Sequence, residues 1–203
     1  MFDLTGQQVL LRIAALLVIV ATHGAFVAGL AILMGDRGPR YDGRLSLNPG
    51  KHIEYVGALT MIIFRIGWIK PVAVDLSELR YRVVGVIVIV LGSLALTIGL
   101  AEILWLLRPT LVTTFPDTGF VRTINLWIDT MATLSVWFAV INLIPFPPFT
   151  GGLILALVAP QLHKLMIERL LVVTIVLAVI IFAGAAADVF DPAVNEVRDF
   201  LLR

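Results

Sequence analysis

Three histidines, His23, His52 and His163, are the side chains that could bind a metal in this 203-residue chain. Cysteine is absent, which excludes disulfides, thiolate catalysis and cysteine-ligated zinc or iron–sulfur centres. A metal would therefore need histidine and carboxylate ligands. A metal site assembled from His52 and His163 with Glu54 or Glu168 is less expected than simple solvation of both histidines at membrane interfaces.

The composition places the chain in a lipid bilayer. Hydrophobic residues make up 60% of it and charged residues 14%, and the mean hydropathy is +1.01, which is more apolar than a soluble domain of this size needs. A net charge of +1 leaves no basic field that would attract nucleic acid, so we expect no nucleic-acid binding. We expect an integral membrane protein of a bacterial inner membrane.

The hydropathy pattern predicts an all-α bundle of about four full spans with one or two half-inserted segments. The predicted spans are residues 13–34, 83–107, 124–144 and 170–187. Residues 53–69 are apolar but short, so they are predicted to enter the membrane and return. Residues 151–160 are too short to cross and end at a proline. The basic loop 35–51 is placed on the cytoplasmic side by the positive-inside rule.

The tail is predicted to form an amphipathic helix. Asp191-Pro192 is typical of a helix start, and Val194, Val197 and Leu201 then fall on one helix face. We expect this helix to lie on the membrane surface or against a partner.

Three stretches resemble the short members of the site-2 protease family of intramembrane zinc metalloproteases. They are residues 22–28 running on to Gly35-Asp36, residues 43–57 with residues 67–72 beyond them, and residues 142–152. The family carries HExxH in the first stretch. In the third it carries an asparagine and a proline-rich segment followed by Asp-Gly-Gly.

The resemblance implies a zinc-protease scaffold whose metal site has degenerated. In the family, two histidines four residues apart and an aspartate bind zinc, and the glutamate of HExxH polarises the metal-bound water. His23 stands at the first position, but Gly24 replaces the glutamate, Val27 the second histidine and Thr150 the aspartate. We therefore predict no catalytic residue, no bound metal, no cofactor and no enzymatic activity, with His23 as the one residual candidate ligand.

The resemblance also divides the chain. Residues 1–203 are predicted to be a single membrane domain, with a site-2 protease-like core over 10–160, an additional transmembrane helix over 170–187 and the tail over 189–203. The family's helix-packing motif of a small residue, proline and asparagine is absent from its expected place, residues 92–96. A lone histidine in such a helix is expected to donate to a carbonyl or hydroxyl of a neighbouring helix.

Charged residues inside the predicted membrane segments suggest another hypothesis, a transporter or channel. Arg65 either pairs with a charge outside its own segment, since Glu54 lies three helical turns away, or snorkels to the surface. Glu102 and Asp129 are expected to meet water at the outer ends of their spans. A small transporter or channel built around Arg65, Glu102 and Asp129 is the alternative to these interpretations.

The favoured function is an accessory or partner-binding subunit of a hetero-oligomeric membrane complex. Candidate contacts for a partner or peptide are Arg65, Asn142, Pro145, Pro147, Pro148, Phe149, Gly151 and Gly152. The proline-rich stretch either receives an extended peptide by backbone pairing or only stops a helix. An active intramembrane zinc metalloprotease with a displaced metal site is the alternative from the enzyme class.

Overall fold

The chain folds as a bundle of helices. A computed structural model describes residues 4–115, 118–184 and 187–201, and within those ranges it contains no strand. The helices are α1 (Gly6–Met34), α2 (Gly38–Tyr41), α3 (Tyr55–Phe64), α4 (Arg82–Leu106), α5 (Arg108–Thr114), α6 (Gly119–Asn142), α7 (Gly152–Val158), α8 (Pro160–Glu168), α9 (Leu170–Phe182) and α10 (Ala187–Leu201). The all-α prediction is confirmed.

Helices α1, α4 and α6 pack against one another and form the core. Ile19 of α1, Ile89 of α4 and Phe138 of α6 are completely buried between them. In the described part of the chain, these are the three unbroken helices that are long and apolar enough to cross a membrane. Helix α5 continues α4 in the second of them. Thr5 and Gln8 form the capping box at the start of α1, where each side chain satisfies the backbone N–H of the other residue.

The short apolar stretch over residues 53–69 turns back on itself. Helix α3 ends at Arg65, whose φ of 68° is left-handed, and Gly67 then passes close to the start of the helix. A Cβ on Gly67 would lie 2.7 Å from the carbonyl oxygen of Gly57, so a glycine is required for this approach. An antiparallel bridge joins Ile53 to Ile69. The segment therefore enters and returns, as a re-entrant segment does.

Helix α9 lies within the predicted fourth span and follows a sharp bend. Helices α8 and α9 meet at an angle of 84°, so this pair is either one bent span or a re-entrant loop. Helix α9 ends at Phe182 after 13 residues because Gly184 takes a φ of 83°, the conformation that terminates helices. The described helix is therefore shorter than the predicted span over 170–187, and residues 185 and 186 lie outside the described ranges.

The tail helix differs from the prediction in its start and its surroundings. Helix α10 begins at Ala187, so Asp191-Pro192 lies inside it and does not cap it. Val194 is buried and Val197 is half-buried in an apolar cluster that includes Trp137 of α6. The apolar face is thus covered by α6 of the same chain. The side chain of Leu201 lies outside the described residues.

Candidate functional site

His23 lies at the centre of a buried hydrogen-bond network. Its Nδ1 is 3.0 Å from Oγ1 of Thr97 on α4, and its Nε2 is 2.8 Å from Oγ1 of Thr150, just before α7. The imidazole has no exposed surface, and the ring of Phe138 packs edge-on against it with centroids 4.8 Å apart. The predicted contact of His23 with a hydroxyl of a neighbouring helix is present, and a second hydroxyl completes it.

The hydroxyl of Thr97 fixes the tautomer of His23. Thr97 donates its single hydroxyl hydrogen to the carbonyl of Ser93 over 2.8 Å, so towards His23 it can only accept. Nδ1 of His23 therefore carries the hydrogen of the neutral ring. Nε2 then has a free lone pair, which accepts the hydroxyl hydrogen of Thr150. The result is a directed chain of three hydrogen bonds from Thr150 to His23, Thr97 and Ser93.

Asn142 fastens the loop that carries Thr150. Its Nδ2 donates to the carbonyls of Gly67 at 2.9 Å and Phe138 at 2.8 Å, and its Oδ1 accepts from the backbone N–H of Thr150 at 3.3 Å. The side chain is fully buried with these partners. Asn142 thus joins the returning half of the re-entrant segment to the Thr150 loop.

The two glycines after Thr150 allow the loop to return tightly. A Cβ on Gly151 would lie 2.5 Å from the carbonyl oxygens of Leu143 and Ile144. A Cβ on Gly152 would lie 2.8 Å from the backbone nitrogen of Pro147. Both positions therefore exclude any side chain, and the loop holds Thr150 at a defined place beside His23.

His52 occupies the space where a side chain of residue 24 would lie. A Cβ on Gly24 would overlap the imidazole of His52. The prediction that His52 is solvated was wrong: the ring is fully buried, and its Nε2 donates to the carbonyl of Ser46 over 2.7 Å. Burial lowers the pKa of His52, so the ring is neutral at neutral pH. Its Nδ1 has no hydrogen-bond partner within the described ranges.

The donors around His23 do not fit a zinc ion. Zinc in proteins is held by imidazole, carboxylate and thiolate groups, whereas the groups here are one imidazole and two hydroxyls. Both nitrogens of His23 already have hydrogen-bond partners. Val27 offers no donor, and no group of three metal-binding side chains exists among the described residues.

Residues 70–75 lie next to this site, belong to no helix or strand and are held at both ends. Buried Val72 and half-buried Val74 alternate with exposed Ala73 and Asp75, the pattern of extended chain, so these residues are called the extended segment. Arg44 is buried and donates to the carbonyl of Lys51 over 2.5 Å and to the carbonyl of Lys70. At the other end, the buried carboxylate of Asp36 accepts the backbone N–H of Asp75 at 2.8 Å. The basic loop over residues 35–51 therefore anchors the extended segment in the fold, in addition to any influence of its charges on membrane topology.

The middle of the extended segment has no backbone partner. None of the N–H and C=O groups of residues 72–74 makes a hydrogen bond within the described part of the chain. Extended backbone with unpaired groups is the edge to which another strand can be added.

A cavity of about 390 Å³ lies between the extended segment and the Thr150 loop. Its walls are mostly apolar and include residues 71–74, Pro147, Pro148 and Phe149. The polar side chains at its surface are Thr150, Asp75 and His163. Thr150 is thus the one member of the buried network that borders the cavity, and His23 lies behind it.

The predicted contact residues from 142 to 152 take different places relative to the cavity. Pro147, Pro148, Phe149 and Gly152 line the cavity, whereas Asn142 and Gly151 shape the loop behind it. Pro145 is exposed and does not line the cavity. The extended segment and Thr97 were not predicted, because unpaired backbone has no sequence signature and an isolated threonine in an apolar helix has none either.

The charged residues of the transporter hypothesis do not meet. Arg65 places its guanidinium 5.2 Å from the centre of the Trp137 ring, and it has no carboxylate partner within the described ranges. Asp129 forms an ion pair of 2.6 Å with Arg108, and its side chain is 40% exposed, so it has a cationic partner that was not predicted in addition to its exposure. Glu102 is half-buried. These residues form no shared polar path in the described structure.

Comparison with known proteins gives one informative similarity. The chain is 27% identical over 199 residues to the "Putative zinc metalloprotease YwhC" of Bacillus subtilis (strain 168), covering 94% of this chain and 89% of that protein. No protein-family model matches the chain, and no solved structure matches it.

This similarity corrects the prediction that the chain is not an enzyme. A relative named as a metalloprotease, similar over nearly the full chain, points to a protease and not to a non-enzyme. That prediction was based on Gly24, Val27 and Thr150, which stand where the resemblance places the glutamate, the second histidine and the aspartate of the zinc site. The chain is a membrane-helical relative of that metalloprotease, in agreement with its resemblance to the site-2 protease family.

Proposed function

We propose that this protein takes an extended segment of another membrane protein into the cavity beside Thr150, as the recognition step of intramembrane proteolysis. The observation that carries this proposal is the unpaired backbone of residues 72–74 at the cavity wall. The similarity to a zinc metalloprotease supports it from an independent direction.

Backbone pairing is the recognition mode that fits an apolar environment. A membrane segment that unwinds from a helix exposes N–H and C=O groups, each of which costs free energy unless it finds a partner. Residues 72–74 offer both donors and acceptors in an extended arrangement. Pairing would satisfy the groups of the segment and of the protein together.

The cavity walls define the side chains that such a segment would carry. Val72, Val74 and Phe149 make the surface apolar, and Asp75 stands at one end of the extended segment. We therefore expect apolar residues in the bound segment, with small or helix-breaking residues that permit unwinding. A bacterial inner membrane is the proposed location.

A partner-binding role in a larger membrane complex would use the same edge and cavity. The rigid fastening of the extended segment by Arg44 and Asp36 favours it, since a preformed edge also suits long-lived binding. The two roles are separated by the fate of the bound segment, which is cleaved in the first and recovered intact in the second.

Proline substitutions test the pairing directly. Along an extended chain, the N–H groups of successive residues point to opposite edges. A segment bound along one edge can therefore pair with the N–H of residue 73 or with that of residue 74, but not with both. Ala73→Pro and Val74→Pro would each remove one N–H. Binding of a single-span reporter with a Gly-Pro pair in its span, measured in proteoliposomes, should fall about tenfold for one variant and change little for the other.

Ala73→Val and Val74→Ala are the matched controls, because they change side chains and keep the N–H groups. An all-leucine reporter span, which unwinds less readily, should bind more weakly than the Gly-Pro span. Equal binding of both spans, or the same response to both proline variants, would contradict the proposal.

A further inference from the structure

We propose that Thr150 and His23 form a nucleophile–base pair that attacks the carbonyl of a peptide or ester bond held in the cavity. Thr97 acts as the positioning residue of His23. The proposal rests on the proposed function for delivery of the carbonyl, but the reactivity of the pair is a separate property.

The geometry is that of an activated hydroxyl. A nucleophilic hydroxyl needs a base within about 2.6–3.2 Å and a third group that orients the base. Thr150 Oγ1 lies 2.8 Å from His23 Nε2, and Thr97 Oγ1 lies 3.0 Å from His23 Nδ1. Because Thr97 must accept from Nδ1, the lone pair of Nε2 is directed at the hydroxyl hydrogen of Thr150.

Accessibility distinguishes the members of the network. Thr150 borders the cavity, whereas His23 is shielded behind it and Thr97 is buried in α4. A carbonyl carbon held in the cavity would therefore lie next to Thr150, with the imidazole of His23 on the far side of the hydroxyl. Residues 72–74 line the same cavity, and an unpaired N–H on the edge that faces it would donate to a carbonyl oxygen that gains charge.

The reaction balances with water as the second reactant. Oγ1 of Thr150 bonds to the carbonyl carbon while its proton passes to Nε2 of His23. The C–N or C–O bond of the substrate then breaks, and the leaving amine or alcohol takes that proton. Water attacks the resulting ester, gives a proton to His23, and the ester bond breaks as Thr150 regains its hydrogen.

A purely structural network predicts a different outcome. If the three hydrogen bonds only fasten α1 to α4 and to the Thr150 loop, the hydroxyl has no enhanced reactivity. The test therefore uses a small acylating probe, a β-lactone, which needs no peptide recognition. The site and extent of modification are read by tandem mass spectrometry of the full chain in detergent.

In the unmodified sequence, we expect acylation at Thr150 and not at Thr113, an exposed hydroxyl whose hydrogen is donated to the carbonyl of Pro109. Thr150→Ser should be acylated faster, because a primary hydroxyl is less hindered. His23→Gln should lower the rate at Thr150 about 10²-fold, the lower end of general-base contributions. Thr97→Val should lower it less.

Thermal unfolding in detergent establishes that each variant is folded. The proposal would be overturned if the wild-type and Thr150→Ser proteins are both folded and both remain unmodified at position 150. It would also be overturned if Thr113 is modified to the same extent as Thr150. Acylation without reporter binding would retain this pair and reject the proposed function. Reporter binding without acylation of Thr150 would retain the proposed function and reject the nucleophile–base pair.

Discussion

The buried network around His23 and the extended segment 72–74 lie on two sides of the same cavity, and they handle polar groups in opposite ways. In the network, both ring nitrogens of His23 and the hydroxyl of Thr97 have partners. In the extended segment, the backbone groups have none within the described chain. The polar groups of the first region are paired within the described chain, and the backbone groups of the second are unpaired.

The two regions also differ in the contacts that hold them in place. The network is held by packing between α1, α4 and α6, which form the core. The extended segment is held by hydrogen bonds at its ends, from Arg44 and to Asp36, and by the packing of Val72 and Val74 against the core. Substitutions in the network should therefore affect the whole fold, and substitutions at the fastenings should affect the cavity edge.

The largest expected effect comes from breaking the packed region at Gly24. A methyl group there would overlap His52, and overpacking of a core costs about 1–3 kcal/mol or more. Gly24→Ala should lower the thermal unfolding temperature in detergent strongly. His52→Ala in the same protein should restore much of the loss, because it empties the space that the methyl group needs.

Gly29→Ala is the matched control on the same helix, since its nearest atom would be Leu45 Cδ1 at an ordinary 3.7 Å. This change should be neutral or stabilising by up to about 1 kcal/mol. Additive effects of Gly24→Ala and His52→Ala would show that the two residues do not compete for space.

A smaller and more local effect should follow from releasing the extended segment at Arg44. Arg44→Met leaves the carbonyls of the exposed residues Lys51 and Lys70 without their donor, and the loss of such a hydrogen bond costs about 1 kcal/mol. Hydrogen exchange should rise about tenfold or more at residues 69–75 and change little in α4. The exposed Arg40 of the same loop supplies the control, Arg40→Met, which should leave exchange in both regions unchanged.

The smallest expected effect lies outside both regions, at the ion pair of Arg108 and Asp129. Its side chains are 28% and 40% exposed, and exposed pairs contribute about 0–1 kcal/mol. Arg108 also lies 4.2 Å over the ring of Trp105, a contact that Asp129→Asn leaves in place. The unfolding temperature should fall slightly at low salt, and a large fall that persists at high salt would show that the pair is more than a surface contact.

Much of the fold was predictable because hydropathy and helix caps are local. The three central helices and the capping box of Thr5 and Gln8 follow from such patterns. The break at Gly184 was not predicted, because an apolar run gives no warning of a single glycine with positive φ.

The candidate site was predictable in position but not in chemistry. His23 and Thr150 were identified from the resemblance, and the structure brings them to 2.8 Å. Thr97 and the burial of His52 depend on contacts between residues far apart in sequence, which no local pattern encodes. The direction of the hydrogen bonds, on which the proposed activation of Thr150 rests, became apparent only from those contacts.

The most direct test of the central claim is a cysteine scan, for which the chain is suited because it has no cysteine of its own. Ala73→Cys in the protein is combined with single cysteines along the span of the Gly-Pro reporter, and disulfide formation is measured in proteoliposomes. An extended segment paired at residues 72–74 predicts cross-linking at every second reporter position. Cross-linking every three to four positions, or no periodicity at all, would contradict the account.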